Sequence, residues 1–65
     1  MDISQVKLNL GRNVIYNGTQ YKLTGCIIRT DSAGRFFYQA EIQDLKAPWS
    51  VAICRLQDLT ETKGD

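Results

Sequence analysis

Histidine is absent from this 65-residue chain, and cysteine occurs twice. Without an imidazole there is no Ser-His-Asp or Cys-His machinery and no histidine to ligate a metal. Cys26 and Cys54 are isolated from each other, with no C-x-x-C spacing, so no zinc set can be assembled within one chain. No catalytic residue, metal or cofactor is expected, and no small-molecule substrate. A small secreted scaffold carries roughly four to eight cysteines; two of them inside apolar runs suit a reducing, cytoplasmic compartment. Long apolar runs are missing too. The longest, Val51-Ala52-Ile53-Cys54, is far short of the ~20 residues that span a bilayer. The opening Met1-Asp2-Ile3-Ser4-Gln5 has neither the basic nor the apolar region of a signal peptide, and no membrane partner is expected. Charge of one sign is lacking as well: eight Lys plus Arg face seven Asp plus Glu, a net +1 that selects no class of partner. A hydrophobic fraction of 43% excludes a disordered tail, while the length allows one marginally stable domain.

What is present is alternation. Asn17-Gly18 suits the two positive-φ positions of a type I′ hairpin turn. With that loop, Tyr16 faces Thr19, Val14 faces Tyr21 and Arg12 faces Leu23. One face then collects Val14, Tyr16, Tyr21 and Leu23. A second turn at Asp31-Ser32-Ala33-Gly34 sets Ile27 opposite Tyr38, Gly25 opposite Ala40 and Leu23 opposite Ile42. A bulge at Gly25 is the other open register, and it would flip Cys26 to Arg29 onto the opposite faces. Ser50 to Cys54 reads as a fourth strand, with Val51 and Ile53 pointing inward. Leu56 and Leu59 have the spacing of a 3₁₀ turn, and Thr60-Glu61-Thr62 forms a brief last strand. Val6-Lys7-Leu8-Asn9-Leu10 also alternates and covers an end of the core.

Five short strands, a long bent second strand and a 3₁₀ turn before the last strand together resemble an SH3-like small β-barrel. The resemblance implies an all-β fold in which residues 1–10 form an N-terminal extension packed on the barrel. Residues 11–62 make the five-stranded barrel, and 63–65 a frayed tail. Val14-Ile15-Tyr16-Asn17-Gly18 followed by Gly25-Cys26-Ile27 is similar to the opening of a KOW motif, although Leu23 follows Lys22 where the motif has its glycine. Ser50 to Cys54 with Leu59 is similar to the closing strand of plasmid-type dihydrofolate reductases. Ala52 and Cys54 replace that family's ligand-contacting glutamine and tyrosine, which argues against the enzyme. The Val14, Tyr16, Tyr21, Leu23 run and the Leu56-x-x-Leu59 ending most resemble short SH3-like proteins of bacteria and their mobile elements. Membership there implies little about activity.

The reading is therefore a non-enzymatic interaction module with two candidate surfaces. In the first, Ile28 and Phe37 pair on the outer face beside Gln39, with Trp49 at the rim, and bind a protein partner or a second copy of the chain. Trp49 could instead fold back as a lid over one end of the core. In the alternative, Arg29, Arg35 and Lys46 near loops, with exposed aromatics for stacking, bind nucleic acid. The cysteines fall in strands two and four with strand three between them. Two strand spacings, ~9.6 Å, exceed the reach of a disulfide, so both thiols are expected free.

Overall fold

In the computed structural model, which describes residues 1–62, Asn17-Gly18 sets the first hairpin. Both residues take positive φ, 52° and 77°, as the type I′ turn requires. They join β1 (Asn13–Tyr16) to β2 (Thr19–Thr30) in the expected register, Tyr16 facing Thr19 and Val14 facing Tyr21. Val14 and Leu23 are buried, and Tyr16 and Tyr21 pack against them with ring centroids 6.3 Å apart in an edge-on arrangement.

The second hairpin joins β2 to β3 (Phe36–Asp44). Its turn is closed by Asp31, whose Oδ1 accepts the backbone N–H of Ala33 at 2.9 Å and of Arg35 at 3.0 Å. Leu23 faces Ile42 as expected. Then the ladder shifts, resuming at Gly25 opposite Glu41 and Cys26 opposite Ala40. The bulged register is thus the one adopted. Thr24 pins it, donating its hydroxyl to the Glu41 carbonyl at 3.1 Å and carboxylate at 2.8 Å. The bulge replaces an apposition of Gly25 and Ala40, too small to fill a core, with Cys26 against Ala40. Ile27 consequently turns to the outer face opposite Gln39, and Ile28 to the core side opposite Tyr38.

β4 (Val51–Arg55) pairs Ala52 with Ile42 and Cys54 with Ala40. Val51 and Ile53 therefore point outward, 54% and 49% exposed, contrary to the inward orientation expected. β4 is apolar at both parities, so alternation cannot choose its inner face. Leu56 chooses it: this buried first residue of the 3₁₀ turn η1 (Leu56–Asp58) shares parity with Ala52 and Cys54. β5 (Thr60–Glu61) then returns to β1, Glu61 opposite Val14. The five strands make one antiparallel sheet in the order β4-β3-β2-β1-β5. Among the described residues no ladder joins β4 to β5, so the sheet is open and does not close into the barrel expected.

The N-terminal segment is a helix, α1 (Ile3–Asn9), where alternation suggested an extended stretch. A capping box starts it: Asp2 accepts from the Ser4 amide, and Gln5 from the Asp2 amide. Val6 and Asn9, three apart on one side of the helix, are buried, while Leu8 and Leu10 are exposed. Asn9 Nδ2 donates to Glu61 Oε2 at 2.7 Å, Gln5 Nε2 donates to Glu61 Oε1 at 3.0 Å, and the Met1 ammonium donates to the Leu59 carbonyl at 2.6 Å. The helix is thereby tied to the last strand, and Val6 joins the core with Val14, Leu23, Ala40, Ile42, Cys54, Leu56 and Leu59. No helix of the described residues is long and apolar enough to cross a membrane. The expected frayed tail, 63–65, lies outside the described residues.

Asn9→Ala should lower the unfolding free energy by about 1–3 kcal/mol, because it strips a buried donor from the Glu61 carboxylate. Urea denaturation measures it, and a change below ~0.5 kcal/mol would show that the helix is not held through this contact.

Candidate functional site

β3 is longer than β4 at the end near the second turn. The ladder between them ends at Gln39 opposite Arg55, because the chain leaves the sheet there to form η1. Phe36 to Tyr38 are left without a strand neighbour on that side, and they line a cleft of about 640 Å³. The N-terminal segment Met1–Ile3 and the start of η1, Leu56 and Gln57, also line it, as do Asp31 and Arg55. Phe36, 72% exposed, presents its ring at this end of the molecule.

Two carboxylates border the cleft. The Asp2 carboxyl is held below the usual range, first by the Ser4 hydroxyl donating to it at 2.6 Å. Asp31 is lowered chiefly by the Arg35 backbone N–H, then by the N–H of Ala33. Both groups remain anionic through neutral pH. The lining thus combines aromatic and aliphatic surface, unpartnered β3 backbone and two carboxylates, with Arg55 and the Met1 ammonium as its cations.

The bulge splits the outer strip expected from the sequence. Phe37 and Gln39 do lie on the outer face, but Ile28, 64% exposed, lies on the opposite one. Register places Ile27, Gln39 and Arg55 in one outer row, and Glu41 and Ile53 in the next. Trp49 stands beyond the other end of β3 and is 83% exposed, so it is not a lid over the core. Its loop is ordered by Asp44 Oδ1, which accepts the N–H of Lys46 at 2.7 Å and of Ala47 at 3.1 Å, and by Gln43 Nε2 donating to the Pro48 carbonyl at 2.7 Å.

Nor are the three basic candidates brought together. Arg35 is engaged by Asp31, Nε to Oδ2 at 3.2 Å, within its own turn. Lys46 lies past the far end of β3, ~30 Å from Arg35 along a strand of this length. Arg29 faces Phe37 on the outer face, which Lys22 and Arg55 share by register, with Glu41 as its acid. Sequence reasoning missed Phe36 and Ile53 as exposed apolar positions and the half-buried Ile27 as an outer-face one; the Gly25 bulge was the signal that would have exchanged Ile28 for Ile27.

Cys26 and Cys54 flank Ala40 from β2 and β4 and are free, as expected. Burial raises both thiol pKa values, that of Cys54 further through the Asp58 charge, so neither is an activated thiolate. Among the described residues no three or more His, Cys, Asp or Glu converge in a way that could hold a metal ion. Comparison with protein-family profiles, curated proteins and solved structures finds no match to this chain.

The raised thiols predict a pH dependence. Above the ordinary thiol value of 9.0 the unfolded chain loses these protons before the folded one, so stability should fall as pH rises through that range. The serine variants Cys26→Ser and Cys54→Ser should reduce that slope in urea titrations; an unchanged slope would show that the thiols do not contribute.

Proposed function

We propose that the protein is a non-enzymatic interaction module that binds an extended segment of a protein partner in the cleft beside Phe36. The observation that carries this reading is the unpaired stretch of β3 from Phe36 to Tyr38, which forms one side of the cleft. A strand edge offers main-chain hydrogen bonds to an incoming extended chain, and side-chain pockets alongside it supply selectivity. Phe36 and Ile3 provide apolar contact, and the charges around them, Asp2 and Asp31 against Arg55 and the Met1 ammonium, balance. The strand order and the 3₁₀ turn between β4 and β5 support kinship with SH3-like proteins, and two free thiols support residence in a reducing compartment.

A second reading, binding of single-stranded nucleic acid, is supported by Lys22, Arg29 and Arg55 sharing the outer face with Phe37. It calls for affinity that falls steeply with salt, whereas the peptide reading calls for a weaker salt response.

Selection from a random-peptide display library tests the first. Selected peptides should be apolar, should shift the amide resonances of Phe36, Tyr38 and Gln57, and should lose at least ~10-fold in affinity on Phe36→Ala. Phe36 is exposed, so the variant should keep its stability within ~0.5 kcal/mol. Peptides that shift only Lys22, Arg29 and Glu41, or affinity indifferent to Phe36→Ala, would remove the cleft from consideration.

A further inference from the structure

We propose that the outer edge of β4 pairs with the same edge of a second copy of this chain, antiparallel, about a twofold axis through Ile53. The Asp44 N–H donates to the Ser50 carbonyl at 3.0 Å where β4 begins. Even-numbered residues of this strand therefore turn their backbone groups toward β3, and Val51, Ile53 and Arg55 turn theirs outward. Among the described residues no strand receives them. The outward triplet is self-complementary. With Ile53 opposite its own copy and Val51 opposite Arg55, three hydrogen-bonded pairs form, about six backbone bonds in all.

Side chains and charge agree with that register. On the outer face Ile53 meets Ile53, and each Arg55 meets a neutral Val51. The two arginines are ~13 Å apart along the strand, so no like charges oppose. Nothing blunts this edge: Val51–Arg55 contains no proline, lysine or bulge. The opposite edge of the sheet, β5, is only two residues long and offers no comparable template. The partner's Trp49 lies diagonally from Arg55, two residues before the Val51 that faces it, within the reach of an aromatic side chain, which gives a ring now 83% exposed a surface to cover. The exposed apolar area of Trp49, Val51 and Ile53 is on the order of 400 Å² per copy, so ~800 Å² for the pair. That lies below a standard interface and fits a dimer of micromolar or weaker affinity. Arg55 borders both this edge and the cleft, whereas Val51 and Ile53 do not line the cleft, so variants at those two positions test the interface apart from the peptide reading.

Sedimentation equilibrium of the full chain from ~10 µM to ~1 mM, with the emission of Trp49, the single tryptophan, tests the proposal. The mass should rise from one chain to two with concentration, and the emission should shift to the blue in step. Ile53→Lys and Ile53→Glu place a charge at a position already half exposed, and circular dichroism checks that each variant folds. Each alone should weaken association at least ~10-fold, and an equimolar mixture should restore it. A single-chain mass across the whole range would overturn the proposal. So would a dimer indifferent to Ile53→Lys, or charge variants that fail to rescue each other. Should either variant not fold, Val51→Lys, which sets a lysine against Arg55 of the second copy, should weaken association, and Val51→Glu should strengthen it; no difference between them would overturn the register.

Discussion

The one-residue slip at Thr24 and Gly25 governs the rest of this molecule. In a pleated sheet the side-chain period is two, so one extra residue exchanges the faces of everything beyond it. Before the slip, Leu23 and Ile42 share the core. After it, Cys26 rather than Gly25 lies against Ala40, and β4 follows with Cys54. The slip is stable because Thr24 satisfies its hydroxyl on Glu41, and because a glycine facing an alanine would have left the middle of the core unfilled.

So short a chain cannot complete its core from strands alone. Val6 from the helix and Leu56 and Leu59 from η1 and its end supply the rest. The polar contacts of Gln5 and Asn9 to Glu61, and of the Met1 ammonium to Leu59, hold that cover to the last strand. The same departure of the chain into η1 shortens β4 relative to β3 and opens the cleft. Core closure and the candidate binding surface therefore share one cause.

Much of the fold was legible. Asn17-Gly18 specified the first hairpin to the residue, and the parity of Val14, Tyr16, Tyr21 and Leu23 specified the side it buries. The Leu56-x-x-Leu59 spacing marked the 3₁₀ turn and two buried leucines. The helix was not legible, since Val6, Leu8 and Leu10 alternate in sequence although only Val6 is buried. The candidate site suffered most, because Ile28 and Phe37 were paired across a ladder that in fact slips between Leu23 and Gly25.

By itself the sequence determined the local chemistry: turn positions, strand content and an absence of imidazole. These depend on residues near one another in the chain or on simple counts. Only the tertiary structure decided which face of β4 is buried, where β3 loses its neighbour, and which apolar residues are left outside. Val51-Ala52-Ile53-Cys54 is apolar at every position, so no pattern within it can prefer one face. The choice comes from Leu56, which has to reach the core, and from the partners that the slipped second hairpin places beside it.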